Sequence, residues 1–396
     1  MVEEPITGSP ITESPIAGSP ITERPVVAVG SSGAVAAPSG AQVPLQPGAY
    51  APPPASGEPG PKGSNGLLAG SHSATVMAFV REAALLPVLA VLIVVGALVS
   101  PVFLTVSNMS GVGQQISSLG VVVVGESLIL LVGEMDLSLE GTYGFAPMVA
   151  AWLIVPVAAY GQGAELSPYL GILICLVIGA GIGMVNGFLI VRGRLNGFIV
   201  TLGMTVLLAG MQLGVVKGQT IPDLPGPFSY LGAAYVGQLP VSLIATFVIF
   251  VAVGLFLRYH RAGRAIYAVG GNPAAARAAG IKVNRVRTGV YVAGGVLAAL
   301  GGLMEAGRVS AVTGTQGYGE GIIFEVFAAA VIGGVSLKGG RGNMVGAATG
   351  VVLLGLVQNI LDLANVSNYW VEAMDGAVIL FALILARMVG GEAAAE

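Results

Sequence analysis

Residues 258–287 read RYHRAGRAIYAVGGNPAAARAAGIKVNRVR and form the only long polar, cationic interruption in an otherwise apolar region. The stretch holds seven of the 17 Lys and Arg residues and no Asp or Glu. Asn272 suits a helix N-cap, Pro273 the first helical position, and Gly280 the position after a helix end. The pattern predicts a short capped helix on a basic loop between two apolar spans. We interpret this helix as an element that docks to another molecule. The alternative is a surface helix that neutralises lipid phosphates.

The composition places most of the chain in lipid. The 396 residues are 55% hydrophobic and 9% charged, with a mean hydropathy of +0.86, whereas soluble domains carry about 25% charged residues. The single cysteine, Cys175, excludes an internal disulfide and a Cys-based metal site. The two histidines are far apart, His72 in the N-terminal segment and His260 in the 258–287 loop, so they form no metal-binding motif. We therefore expect no metal and no cofactor, and the N-terminus shows no secretory signal peptide.

The first segment, residues 1–75, differs from the rest of the chain. A five-residue period with proline in every repeat runs over residues 4–23, and Pro, Gly, Ala and Ser follow without a period. Such a composition cannot form a packed core, so we predict a disordered cytoplasmic tail. The alternatives for the repeat are a passive tail or a binding segment.

The remainder of the chain, residues 80–390, contains apolar runs that reach membrane-spanning length. We predict an all-α polytopic membrane protein with about ten transmembrane helices. The runs lie near 83–101, 116–133, 141–160, 169–191, 197–216, 239–257, 288–304, 322–337, 343–361 and 370–387.

The Lys and Arg residues predict the orientation of these helices. With the N-terminus inside, one side carries 13 of them and the opposite side carries only Lys217 and Arg308. This asymmetry over short loops predicts that both termini and the 258–287 loop are cytoplasmic. Glycines that recur every four residues, such as Gly179, Gly183 and Gly187, predict close helix packing in one compact bundle.

Acidic residues break the apolar pattern at one place. Glu126 lies inside the second span, and Glu134, Asp136 and Glu140 follow within a short distance. Carboxylates at a span end are costly unless they meet water, helix N-termini or cations. A discontinuous helix beside a solute path and an acidic cytoplasmic turn both remain open here. The candidate path residues are Glu126, Asp136, Ser138, Asn186, Thr201 and Glu325.

Several chemistries are excluded by missing motifs. The chain has no GxxxxGK[ST] phosphate loop, no ladder of carboxylates or histidines for a proton relay, and no catalytic constellation. We expect no catalytic residue and no nucleic-acid partner. A transporter without its own motor motif, but with one protruding cytoplasmic helix, indicates an ATPase that binds in trans.

Four motifs resemble, in order, those of the permease subunits of ribose/xylose/galactose-type ABC importers, within a wider group that includes branched-chain amino acid permeases. They are GEMDLS at 133–138, NG at 186–187 with FIVTLG at 198–203, GNPAAARAAGI at 271–281, and AAAVIGGVSLKGGRG at 328–342. The resemblance covers roughly residues 80–390.

This resemblance implies a type II, vitamin B12 importer-like bundle in the plasma membrane of a prokaryote. It also implies a second permease subunit (identical or a paralogue), a cytoplasmic ABC ATPase and an extracytoplasmic solute-binding protein. The solute it implies is a monosaccharide, while polyols, autoinducer sugars, nucleosides and branched-chain amino acids stay open. The expected ATPase-coupling residues are Asn272, Pro273, Ala275, Ala276, Arg277, Ala279 and Gly280.

The sequence departs from the family pattern at a few acidic positions. Glu134 replaces a usual glycine, Glu140 is an added acid, Glu325 stands where Asp is usual, and Ile323 where Glu is usual. If these positions contact the solute, the sugar-transporting relatives indicate its identity less directly. An ion-coupled secondary transporter that uses Glu126, Asp136 or Glu325 is the competing hypothesis, and a membrane enzyme lacks any supporting constellation.

Overall fold

The computed structural model describes residues 85–314 and 321–367, together with 370, 373, 376 and 377. All of them belong to one compact unit, Ser64–Glu396. The predicted tail and nearly all of the tenth predicted span lie outside the described residues. The helices are α1 (Leu85–Val99), α2 (Val106–Leu131), α3 (Ser138–Ile154), α4 (Pro168–Gly187), α5 (Gly197–Val216), α6 (Gly226–Ala233), α7 (Val241–Tyr259), α8 (Arg261–Gly271), α9 (Pro273–Ala278), α10 (Val283–Val309), α11 (Ile322–Ile332) and α12 (Met344–Leu363).

Small non-α elements complete the described part. A 3-10 helix spans Val157–Ala159, and α4 continues into a π-helical turn at Phe188–Arg192. Strand β1 (Thr220–Pro222) pairs antiparallel with β4 (Ala311–Thr313), with Ile221 opposite Val312. Strand β2 (Tyr235–Val236) pairs antiparallel with β3 (Leu239–Pro240).

Six helices within the described ranges are long and apolar enough to cross a membrane, namely α2, α4 with its π turn, α5, α7, α10 and α12. The first and eighth predicted spans appear as the shorter apolar helices α1 and α11. Helix α11 ends at Ile332, five residues before the predicted end of its span, because the glycine-rich segment that follows leaves the helix. The mostly helical, polytopic architecture is confirmed.

Helix α10 lies at the centre of the bundle and contacts α2, α3, α4 and α6. Its glycines permit this packing. A Cβ on Gly295 would lie 2.1 Å from the Gly179 carbonyl oxygen of α4, and a Cβ on Gly179 would lie 2.3 Å from the Gly295 carbonyl oxygen. A Cβ on Gly183 would lie 2.2 Å from the Tyr291 carbonyl oxygen. These distances confirm the predicted close packing of the glycine-rich spans.

A second close contact joins α11 to α12. A Cβ on Gly346 would lie 1.9 Å from the Gly333 carbonyl oxygen, and a Cβ on Gly350 would lie 2.0 Å from the Ala329 carbonyl oxygen. Because side chains are absent at the contact, the two backbones approach within van der Waals distance. This contact fixes α11, the shorter of the two helices, against a helix of membrane-spanning length.

The two ends of the bundle differ in charge and structure. The basic end, as we call it, gathers the turns at 132–137, 192–196 and 333–343 and the segment from α8 to the start of α10. The Gly340 amide there donates to the Leu131 carbonyl at 2.9 Å, and Arg287 pairs with Glu134. The opposite end of the bundle carries strands β1 to β4, and we call it the strand end. Lys217 and Arg308 lie there. The structure thus groups these cationic loops on one end.

Candidate functional site

The short helix predicted in the basic loop is present as α9. The Asn272 side-chain oxygen accepts hydrogen bonds from the Ala274 and Ala275 amides, each at 3.0 Å. Pro273 occupies the first helical position, and Gly280 follows the helix end with a φ of +82°. An asparagine cap satisfies amides that the first turn of a helix leaves without partners. The cap and the stop predicted from the sequence are therefore confirmed.

One face of α9 points outward and the other packs on the bundle. Asn272, Ala275, Arg277 and Ala279 are exposed, whereas Ala276 is only 4% exposed and belongs to the main apolar core. The expectation that Ala276 contacts another molecule with its side chain does not fit this burial. Ala276 is buried because its side of α9 packs against the main apolar core.

Backbone contacts tie the α8–α9 pair to two other turns of the basic end. A Cβ on Gly270, at the end of α8, would lie 1.8 Å from the Leu131 carbonyl oxygen and 2.5 Å from the Gly340 amide. The Tyr267 hydroxyl donates to the Gly342 carbonyl at 2.9 Å. The end of α8, which leads directly into α9, is thereby packed against the end of α2 and the turn that follows α11. The sequence analysis missed this junction, although glycine pairs at 270–271 and 339–340 were its signal.

A buried polar cluster joins α2, α3 and α4 and consists of Glu126, Asp136, Ser138 and Asn186. Asp136 Oδ1 accepts from the Ser138 amide at 2.8 Å and from the Ser138 hydroxyl at 2.6 Å. The Asn186 amide group donates to Ser138 Oγ at 2.6 Å and to Asp136 Oδ2 at 3.4 Å. Glu126 Oε1 accepts from the Asp136 amide at 3.4 Å. All four residues are at most 1% exposed.

The cluster is sealed from solvent by neighbouring helices. Within the part of the chain that the structure describes, Glu126 Oε2 and Asn186 Oδ1 have no hydrogen-bond partner. Thr201 is also fully buried, and its hydroxyl donates to the Phe198 carbonyl of its own helix at 3.4 Å. Four of the six candidate path residues therefore meet in one place. The described ranges hold no group of three His, Cys, Asp or Glu residues arranged for a metal ion.

We expect Asn186→Ala to destabilise the protein, because it removes the donor to Ser138 and Asp136 in a site that is buried from solvent. An unsatisfied buried polar group costs about 1–3 kcal/mol. The melting temperature of the purified protein should fall, while the matched variant Asn284→Ala, at an exposed position of α10, should leave it unchanged. Equal melting temperatures for both variants would contradict a structural role for the cluster.

An ion pair lies at the basic end between Arg287 and Glu134. Arg287 Nη1 is 3.2 Å from Glu134 Oε1, and the Tyr291 hydroxyl donates to Glu134 Oε2 at 3.5 Å. Burial raises the pKa of the Glu134 carboxyl, and the Arg287 guanidinium opposes that rise. Glu134, one of the acidic residues that depart from the family pattern, thus has a cationic partner in this chain.

We expect Arg287→Ala to destabilise the protein more at neutral than at acidic pH. Without the guanidinium the folded-state pKa of Glu134 rises further, so the protonated form is favoured in the folded protein, and stability is lost as pH rises through that pKa. The loss should be about 1 kcal/mol near pH 7.5, because the pair is partly exposed, and smaller near pH 5. Melting temperatures at the two pH values measure it.

The matched control for this prediction is the double variant Arg287→Ala with Glu134→Gln. It carries no carboxylate at position 134, so its melting temperature relative to Glu134→Gln alone should not depend on pH. An equal loss at both pH values in Arg287→Ala would show that the arginine acts through packing.

A polar cavity of about 250 Å³ lies toward the strand end, between α2, α3, α10, α11 and α12. Its polar lining includes Ser118, Tyr143, Glu305, Arg308, Glu325 and Gln358. Glu325, the sixth candidate path residue, therefore lies here, apart from the buried cluster. Glu305 was missed by the sequence analysis, although its i, i+3 spacing to Arg308 in the last turns of α10 was a signal.

Residues 108–383 match the family described as branched-chain amino acid transport system / permease component. The chain is 34% identical to the ribose import permease protein RbsC of Escherichia coli strain K12 over 312 residues, which cover 78% of this chain and 94% of that protein. No solved structure matches the chain.

Two further relatives import other sugars, by their names. The chain is 30% identical over 320 residues to the galactose/methyl galactoside import permease protein MglC of Escherichia coli strain K12, covering 78% of this chain and 95% of that protein. It is 32% identical over 309 residues to the L-arabinose ABC transporter permease protein AraH of Azospirillum brasilense, covering 78% and 88%. With six helices of membrane-spanning length among its described residues, this chain is a multi-pass protein of the plasma membrane. The chain therefore belongs to the family described as branched-chain amino acid transport system / permease component, and the relatives that it matches include sugar import permeases.

Proposed function

We propose that this chain is the transmembrane permease subunit of an ATP-driven ABC importer and forms the translocation path for a small polar solute, a monosaccharide. The observation that carries the proposal is α9, a capped helix with an exposed face of small residues on the basic end. Membership of the permease family and the names of the sugar-importing relatives support it. The chain itself performs no chemistry, and ATP is hydrolysed by a partner.

The proposed ATPase contact uses the exposed face of α9. Asn272, Ala275, Arg277, Ala279 and Gly280 are exposed, and the small side chains allow the backbone of α9 to approach a partner closely. Arg277 is available to an acidic wall of the partner's groove. Pro273 and Ala276 act by holding the helix in shape and against the bundle. Because Gly270 contacts the ends of two other turns, closure of the ATPase pair would move α2 and α11 together with α9.

The proposed assembly has two permease subunits, two cytoplasmic ATPase domains and an extracytoplasmic binding protein that delivers solute to the strand end. The permease has about ten transmembrane helices in a type II arrangement, with both termini and the 258–287 loop in the cytoplasm. Residues 80–390 form the transmembrane domain, and residues 1–75 form the cytoplasmic tail. The charge asymmetry of the loops supports this orientation.

The six candidate path residues divide into two roles in this proposal. Glu325 faces the cavity and so the solute. Glu126, Asp136, Ser138, Asn186 and Thr201 are sealed within the bundle and position the helices behind the path. The polar cluster thereby fixes the start of α3, whose first turn carries the Asp136–Ser138 bonds.

The competing function is an ion-coupled secondary transporter. The observation in its favour is the carboxylate oxygen Glu126 Oε2, which is buried and without a partner among the described residues. Solute uptake distinguishes the two functions when it is measured in two kinds of proteoliposome. One kind contains the permease alone, and the other also contains the ATPase and the binding protein. We expect uptake of radiolabelled D-ribose, D-galactose or L-arabinose only with the complete complex and ATP. Uptake by the permease alone under a sodium or proton gradient would overturn the importer.

A further inference from the structure

We propose that the polar cavity at the strand end is the first solute subsite within the permease, and that its carboxylates admit neutral sugars and reject their phosphorylated forms. This inference rests on the proposed transport function. It adds the residues that would contact the solute first and a selectivity against phosphorylated sugars.

The cavity has the size and depth of a site for one small solute. At roughly 30 Å³ per molecule of liquid water, its volume of about 250 Å³ corresponds to about eight waters. Ser118 and Tyr143 are buried at its floor, with 4% and 3% exposure. The Arg308 side chain is 35% exposed and that of Glu305 is 17% exposed, so solvent reaches the cavity on the Arg308 side.

The polar groups of the cavity are held in fixed positions. Arg308 Nε donates to Glu305 Oε2 at 3.0 Å, and Arg308 Nη2 donates to Glu305 Oε1 at 2.5 Å. The Ser118 hydroxyl also donates to Glu305 Oε2, at 3.1 Å. A carboxylate keeps acceptor capacity beyond such bonds, and a sugar hydroxyl both donates and accepts. The Gln358 amide of α12 adds a donor and an acceptor, and the Tyr143 ring adds an apolar surface.

The charges of the cavity disfavour an anion. Among the described residues that line it, Glu305 and Glu325 face one cation, Arg308, which is engaged by both oxygens of Glu305. The N-terminus of α11 would ordinarily attract an anion. Here the Glu140 carboxylate accepts from the Ile323 amide at 3.4 Å, and Glu325 stands in the same first turn. A phosphate would meet carboxylates where it needs cations.

The location suits a first contact for solute that enters at the strand end. Arg308 lies in the last turn of α10, and its amide approaches Gly232 of α6 on that end. The basic end with α9 lies at the other end of α10. A solute in the cavity is therefore separated from the basic end by the Leu303 to Gly294 region of α10, which is buried against α2, α3 and α4.

The test is chemical labelling of Gln358→Cys in proteoliposomes by a small cationic methanethiosulfonate reagent, read as a mass shift of the intact protein. The native Cys175 is fully buried, so the parent protein should stay unlabelled. We expect D-ribose or D-galactose to slow labelling of Gln358→Cys, and D-ribose 5-phosphate to have no effect at the same concentrations. Val236→Cys, exposed on β2, is the matched control that sugars should not protect.

A second variant tests the charge filter. In Gln358→Cys combined with Glu325→Gln, the lining loses one negative charge, so half-protection by D-ribose 5-phosphate should need about tenfold less of it than in Gln358→Cys alone. If Gln358→Cys does not fold, Gln115→Cys probes the same cavity from α2.

The outcomes separate this proposal from the importer function. Equal protection by sugar and sugar phosphate overturns the charge filter, and no protection by any sugar overturns the subsite. Labelling needs neither ATPase nor binding protein. Protection without ATP-dependent uptake by the complete complex would therefore support the subsite and overturn the importer, and uptake without protection would do the reverse.

Discussion

Ala276→Pro should abolish solute-stimulated ATP hydrolysis and solute uptake in the reconstituted complex. Proline at this position removes the hydrogen bond from the Ala276 amide to the Asn272 carbonyl, which is 2.9 Å long. A proline in a helix interior costs about 3 kcal/mol, and α9 is only six residues long, so no further turn preserves it. At about 1.4 kcal/mol per factor of ten, that cost lowers the population of the intact helix more than a hundredfold.

A second variant separates docking from the packing of Ala276 against the bundle. Ala279→Trp adds bulk on the exposed side of α9 and should lower stimulated ATP hydrolysis at least about tenfold, since one blocked interface contact costs on the order of 1.4 kcal/mol or more. Its melting temperature should equal that of the parent protein. The matched control Ala252→Trp, exposed on α7, should keep full activity. Undiminished uptake in both α9 variants would refute the docking role.

Local features of α9 could be predicted from the sequence because they depend on neighbours in the chain. A cap is set by a side chain and amides two or three residues away, and a stop by one glycine with positive φ. The same holds for the apolar runs, whose length alone predicts most of the helices. The motif order also predicted the family, since motifs are local strings. The end of α11 at Ile332 was harder, because the residues after it are apolar but glycine-rich.

Features that depend on distant residues could not be predicted in this way. The burial of Ala276 results from packing against the core, and the sequence of α9 does not specify which face turns inward. The cavity brings Ser118 to Glu305 across 187 positions of the chain. Four of the candidate path residues were chosen as polar residues in apolar runs, and Asp136 and Ser138 were chosen from the acidic segment that follows the second run. That criterion cannot distinguish Glu325, in a cavity, from Asn186, in a sealed cluster.

Gly302→Val should give the largest loss of stability among single substitutions in α10. A Cβ at Gly302 would lie 1.9 Å from the Tyr143 carbonyl oxygen and 3.1 Å from Pro147 Cγ. Pro147 has no amide hydrogen for the Tyr143 carbonyl one turn earlier, so that carbonyl faces the Gly302 backbone directly. Backbone cannot move aside as a flexible side chain can. The whole contact between α3 and α10 must therefore open.

The expected loss for Gly302→Val is at least about 3 kcal/mol, the upper part of the range for overpacked sites, and the yield of monodisperse protein should fall with it. The matched control is Gly289→Val on the same helix, where an added Cβ meets nothing within 4 Å. Because valine has a higher helix propensity than glycine, the control should be neutral or slightly stabilising by about 0.4 kcal/mol. Thermal unfolding of both variants in one detergent measures the difference. If Gly302→Val and Gly289→Val have the same melting temperature, close backbone contact does not explain the glycines of α10.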